Sequence, residues 1–538
     1  MKHKRSYLFL FGLLLMMLIA ACGGAEQASE PEEAAPAEEA APAEEAADSG
    51  PKIFTMAYVN DPADIDPRTN YDGPGLAVLA QQYETLTYFN PPGSDEPIGP
   101  MLAESWEANE DGTEWTFKLK QGVKFHDGAD FNAEAVKAVV EGVRDGDYAT
   151  SWLFAAVIEI EIVDDHTIKF TNEFPAALDL IFTSAFGAWM VSPDGMAQDS
   201  DWFQAGNSAG TGPYKITNRE AGTRIVMERH EEYWQGWNDK KFDTVVFEFV
   251  ADETVREQMI RSGDIDLTRG LNTDNIPSLQ EADGVEVKIE SSYENWFMFI
   301  NHAKEGPLQN QNVRKALALS YPYEEVLANM NGGFGTAAGG VIPGAMWGAD
   351  ESTRLTQDLE AAKALLAEGG YADGGFSLEY WAFEGEPLYE QMAELWIPPL
   401  RDLGIELTIK VVDFNSGVES AQNDPQNAHD LMGFFWFPTY VTPFDPMFSP
   451  FATGEYFNLG FYSNEEFEGL LFDGDALTAS DRDAAIEAFQ QANKVLVDDA
   501  AAIFVMDTPT IWTTRDDLSG YRYNPAYGAV VPVYDMER

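Results

Sequence analysis

A single cysteine, Cys22, serves a chain of 538 residues, so no disulfide can be closed within it and no thiolate cluster can hold a metal ion. Stability must come from packed cores, and the 45% of residues that are apolar can supply them. The length suits two or three domains. Against 33 Lys and Arg stand 91 Asp and Glu, a formal net charge of -58. Nucleic acid is an unsuitable partner, because phosphates call for a basic surface. The acidic excess is spread along the chain. It serves either solubility outside the cell or adaptation to high salt, where screening weakens self-repulsion.

Cys22 follows Lys2, Lys4 and Arg5, an apolar run from Tyr7 to Ala21, and the tripeptide Ile19-Ala20-Ala21. The run is shorter than the ~20 residues of a spanning helix. This pattern resembles a bacterial lipoprotein signal. The resemblance implies a signal peptide over 1–21, lipidation of Cys22 as the mature N-terminus, and an extracytoplasmic protein lipid-anchored to the membrane on its periplasmic or cell-surface side. An ordinary secretory signal with an incidental cysteine is the alternative. Residues 22–50 are a low-complexity Ala/Pro/Glu segment without an aromatic or branched aliphatic residue, read as a disordered acidic linker.

From residue 51 onward strand and helix patterns alternate, which implies an α/β fold. Trp115, Phe117 and Leu119 alternate with Thr116, Lys118 and Lys120 between Thr113 and Phe125. Ile405, Leu407, Ile409 and Val411 alternate with Glu406, Thr408 and Lys410. A helix is predicted from Asp358 to Glu368, stopped by Gly369-Gly370, and a second from Ser480 as N-cap to Asp498.

Five segments in order carry a family resemblance. They are Leu102-Ala103-Glu104-Ser105-Trp106-Glu107 with Trp115 to Gly128; Gly210-Thr211-Gly212-Pro213-Tyr214-Lys215-Ile216; Ser262-Gly263-Asp264-Ile265-Asp266-Leu267; Asn312 to Ser320; and Ala361 to Tyr371. Together they resemble the extracellular solute-binding proteins of family 5, the peptide/nickel type, which serve ABC importers. The resemblance implies a two-lobed periplasmic-binding-protein-like fold (type II, cluster C). Residues 51–292 plus 506–538 would form lobe I, with an extra subdomain at about 95–205, and residues 293–505 would form lobe II. The crossings would fall near 293–301 and 504–512. It also implies hinge closure on a small organic solute, oligopeptide or oligosaccharide-like, for delivery to a permease. The protein would be a monomer, without cofactor, metal or catalysis.

The resemblance further implies a ligand-binding set: Tyr71, Leu76, Trp189, Arg269, Phe435, Trp436, Tyr440 and Trp512. Aromatic walls suit such a cleft. Arg269 could take a ligand carboxylate as a bidentate pair, although in so acidic a chain a surface ion pair is the expected use. Peptide-binding members place an aspartate soon after the tryptophan of the Trp436 region. Here no acid occurs before Asp445, which sits in a Phe-Asp-Pro turn of structural aspect. That departure argues against a dipeptide and leaves a sugar, a glycoside or an oligopeptide held through its backbone. Six histidines without metal-ligand spacing disfavour metal uptake. A lipid-anchored carbohydrate hydrolase, with two carboxylates about 5–10 Å apart, is the rival reading. A ligand sensor or peptide chaperone on the same fold is the third.

Overall fold

The computed structural model describes residues 50–538 except positions 147 and 386. Cys22, the signal peptide and all but the last residue of the linker lie outside the described residues. The element order alternates strands and helices as the patterning implies.

The architecture is organised by two unusually long strands, Val285–Ile300 and Ala502–Arg515. They pair antiparallel over most of their length, with register shifts between Ser291 and Glu294 and between Trp296 and Phe297. Among the described residues they stand at the middle of an eleven-stranded sheet. On one side lie Leu267–Arg269, Ile53–Tyr58, Thr244–Phe249, Arg224–Arg229 and Tyr214–Glu220, in that order. On the other lie Leu431–Trp436, Phe376–Phe383 and Ile405–Val412, and the eleventh strand, Thr336–Ala337, pairs with Ala502–Arg515 off this order. Each long strand contributes one end to each side. Thr510–Arg515 pairs with Val285–Glu290 and includes the partners of Leu267–Arg269, whereas Asn295–Ile300 pairs with Leu431–Trp436. The segments expected to cross, near 293–301 and 504–512, lie in or at the end of these two strands.

A separate four-stranded antiparallel sheet runs in the order Ala103–Ala108, Glu114–Leu119, Thr167–Asn172, Val157–Asp164. Trp115, Phe117 and Leu119 are buried on one face, as their alternation predicts. The strand stops at Leu119, where Lys120 N–H turns to the Leu102 carbonyl and Gly122 takes φ +76°. The Ile405–Val412 strand keeps its period but forms the edge of the sheet, so Leu407 and Ile409 are half-buried and Val411 is exposed.

Both predicted helices form. Leu359–Glu368 is capped by Asp358, whose carboxylate accepts from Ala361 N–H, and buries Ala362 and Leu366. The second helix runs Arg482–Asp498, and its N-cap is Asp481 rather than Ser480. The Asp481 carboxylate accepts from Ala484 N–H, while Ser480 N–H completes the preceding turn to Leu477. A ring cluster of Phe297, Phe299, Phe434, Phe451 and Phe504 fixes one end of the long strand pair against its neighbours. Among the described residues, no helix is long and apolar enough to cross a membrane.

Candidate functional site

A cavity of about 480 Å³ opens against the long strand pair. Segments far apart in the chain line it. Tyr71, Gly73 and Leu76 come from the first helix and the loop before it, and Phe186 from a later loop. Arg269 ends its short strand, and Ser292, Glu294 and Thr510 come from the long strands. Tyr389, Phe414, Phe434, Phe435, Trp436, Phe437 and Phe457 supply an aromatic wall, and Gly528 and Ala529 close the circuit.

The local reasons for this placement are specific. Asp72 caps the helix Gly73–Leu79 by accepting from Gly75 N–H, which sets Leu76 at the cavity edge. The Tyr71 ring stacks on Phe186 with centroids 4.9 Å apart, and its hydroxyl pairs with the Thr439 hydroxyl. Phe435 stacks on Trp296 at 5.1 Å. Trp436 is buried, packs edge-on to Phe457 at 5.5 Å, and directs its indole N–H toward Asp445. The same Asp445 oxygen accepts from Thr439 N–H. Burial pushes the Asp445 carboxyl up to about 7, against those two hydrogen bonds. Asp445 is absent from the cavity wall. It organises the loop behind the wall.

Arg269 stands directly across the ladder from Trp512, and its guanidinium lies over the Trp512 ring at 5.4 Å. Its other described contact is a 3.4 Å bond to the Gly528 carbonyl. The surface ion pair expected for Arg269 does not form with any described residue. Asp266, the nearest acid in its own strand region, is taken by Arg538. Glu294 sits just past the first register shift, where the bulged strand re-aims its side chain. One of its oxygens accepts from the Trp296 indole N–H at 2.7 Å and from the Thr508 hydroxyl at 2.5 Å.

Of the eight residues predicted for ligand contact, Tyr71, Leu76, Arg269, Phe435 and Trp436 line this one cavity. Three do not. Trp189 lines a smaller cavity of about 150 Å³, beside Glu84, Tyr233 and Tyr527. Tyr440 is buried beside Trp152, centroids 5.9 Å apart. Trp512 is fully buried beneath Arg269. Phe414 and Phe457 were invisible in the sequence, because nothing local distinguishes a wall residue from a core aromatic. For Glu294, the break in alternation at Ser291-Ser292 was the one local cue.

A family model described as bacterial extracellular solute-binding proteins, family 5 Middle, matches residues 97–458. The probable D,D-dipeptide-binding periplasmic protein DdpA of Escherichia coli K12 is 27% identical over 489 residues, covering 89% of this chain and 93% of that one. Among solved structures, the ABC transporter substrate-binding protein CtaP of Listeria monocytogenes superposes with a TM-score of 0.80 at 19% identity, covering 90% of this chain and 99% of the other. A dipeptide-binding protein of Pseudoalteromonas sp. SM9913, in complex with Met-Leu, gives 0.75 at 21% identity, covering 90% and 100%. At such identities the superpositions establish the fold, which is the two-lobed periplasmic-binding-protein type.

Proposed function

The chain belongs to the bacterial extracellular solute-binding proteins of family 5, and on that premise we propose that it captures one small organic solute by hinge closure and hands it unchanged to an ABC permease. The observation that carries this reading is the 480 Å³ cavity, whose wall draws on segments from both sides of the long strand pair. A solute touching both sides favours the closed arrangement by its differential affinity, which is all that closure needs.

In this reading residues 51–292 with 506–538 are one lobe and 293–505 the other, and the strands Val285–Ile300 and Ala502–Arg515 are the hinge. Tyr71, Leu76, Arg269, Phe435 and Trp436 contact the solute, with Glu294 and Phe457 beside them. Trp512 lies beneath the wall residue Arg269, whereas Trp189 and Tyr440 stand outside this wall. The solute is an oligopeptide or oligosaccharide-like molecule, and no bond in it is made or broken. Relatives named for dipeptides favour a peptide. The buried, loop-holding Asp445 gives no support to an amine-binding carboxylate at that position.

Thermal-shift screening of peptides, oligosaccharides and metal chelates tests the reading. One class should raise the unfolding temperature in a saturable way. A flat response to all three would remove its basis. The tether is proposed to be lipid on Cys22. Cys22→Ser should move the protein from the membrane fraction to the soluble fraction, and its retention on membranes would refute the tether.

A further inference from the structure

Asn331-Gly332 is the one Asn-Gly pair in the chain. It forms the turn after the helix Tyr323–Asn329 with both residues left-handed, φ +48° at Asn331 and +64° at Gly332, and Gly333 N–H donates to the Met330 carbonyl at 2.9 Å. Asparagine and glycine are the residues such a turn prefers, because most side chains are strained at positive φ. Contact adds a second demand for the glycine. The turn Asn331–Gly333 packs against Thr273–Asn275, and a Cβ on Gly332 would stand 2.8 Å from the Thr273 Cβ. In the proposed lobe assignment Thr273 and Gly332 belong to different lobes, so the hinge is bridged here without room for a side chain.

The same pair can react with itself. The Gly332 amide nitrogen attacks the Asn331 side-chain carbonyl carbon, a C–N bond forms, and the side-chain nitrogen leaves as ammonia, carrying the amide proton. Water then opens the resulting succinimide at either carbonyl, giving aspartate or isoaspartate. Glycine obstructs the attack least, having no side chain. Nothing in the turn holds the reacting groups back. Asn331 is half-buried and Gly332 exposed, and the Asn331 side chain makes no hydrogen bond to any described residue. The turn's bonds use the N–H groups of Gly333 and Phe334, not that of Gly332. Asn207, which precedes the small residue Ser208, is by contrast tied to the Trp202 carbonyl at 2.8 Å.

The product carries a charge that asparagine lacks. It lies against a turn that contains Asp274, and Asn275 of that turn is bound to Glu257. The nearby Arg261 is already paired with Glu257. Like charges across a contact favour its separation. Isoaspartate also lengthens the main chain by one carbon where not even a Cβ fits. We propose that Asn331 is a site of spontaneous deamidation, and that its conversion loosens closure, so that the hold on a solute weakens as the protein ages. The second half rests on the hinge-closure reading and the first does not.

The test ages the purified protein in mildly alkaline buffer and maps its peptides. A mass gain of about 1 Da, with isoaspartate, is expected on the peptide that holds Asn331, ahead of every other asparagine. Small-angle scattering then compares ligand-free wild type, Asn331→Asp and Asn331→Gly, the last of which keeps a left-handed turn and has no amide to lose. Asn331→Asp should show a larger radius of gyration than the other two at low salt, and the difference should shrink in roughly 1 M sodium chloride. An Asn331 that stays unmodified, or that other asparagines outpace, overturns the inference. Equal radii for Asn331→Asp and Asn331→Gly overturn the loosening. Either failure leaves solute capture standing, whereas a flat solute screen would remove capture without altering the mass gain.

Discussion

Trp436, Asp445, Thr439 and Tyr71 form one connected unit: an indole and a backbone N–H converge on a buried carboxylate, and the next hydroxyl reaches across to a tyrosine. Trp436→Ala should weaken solute binding by well over tenfold, since removing a buried aromatic anchor costs about 2 kcal/mol or more. Calorimetry with a solute from the screen checks this, and circular dichroism verifies that the fold persists. Unchanged affinity would contradict the site. Asp445 carries a second expectation. Its folded pKa of about 7 lies above the unfolded value near 4, so the folded state holds a proton that the unfolded chain releases. The stability this contributes is complete below about pH 4 and is lost as pH rises toward 7. Asp445→Asn can still accept from Thr439 N–H but does not titrate. Relative to wild type it should therefore gain stability between pH 5 and pH 8 in urea unfolding, and a pH-independent difference would contradict the assignment.

At the scale of elements, residues outside the cavity lining also link the two proposed lobes. The Asp179 carboxylate and the Arg482 guanidinium meet at 2.7 Å, and the Ser184 hydroxyl donates to the Thr439 carbonyl at 2.8 Å. Closure would form these contacts and opening would break them. Arg482→Met should shift the ligand-free protein toward open forms, read as a larger radius of gyration in small-angle scattering. An unchanged radius would show that the ion pair does not bias the hinge. Much at this scale was legible in the sequence, because periodicity is a local property. The run Trp115-Thr116-Phe117-Lys118-Leu119 names its buried face unaided. The helix start at Asp481 rather than Ser480 was not legible, because both residues can cap and the preceding turn decides. The cavity wall was legible only in part. Trp436 and Phe435 followed from family resemblance, whereas Phe414 and Glu294 reach the same space through a sheet order that no local pattern encodes. Arg269 was expected to find an acid at the surface, and the ladder places it on Trp512 instead.

For the whole molecule, the net charge of -58 is a standing self-repulsion. Screening reduces it. Raising sodium chloride from roughly 0.05 M to roughly 1 M, where the Debye length falls to ~3 Å, should raise the unfolding temperature by several degrees. A flat or falling profile would contradict a dominant role for repulsion. Salt is a cleaner lever here than pH, because buried groups oppose one another. Burial raises Glu84 and Asp445 to about 7 and Asp507 to about 6, so the stability these acids contribute is lost as pH rises from about 4 to their folded values. Burial lowers His126 and His429 to about 3 and His302 to about 4, so these bases lose stability as pH falls below about 6.5.

Family membership and the aromatic cavity meet in one claim, that a single solute is enclosed and released chemically unaltered. Native mass spectrometry after incubation with mixed peptides and oligosaccharides tests it most directly. One intact solute molecule per chain and an unchanged mixture in solution are expected. Cleaved or modified products accumulating beyond one equivalent of protein would contradict it.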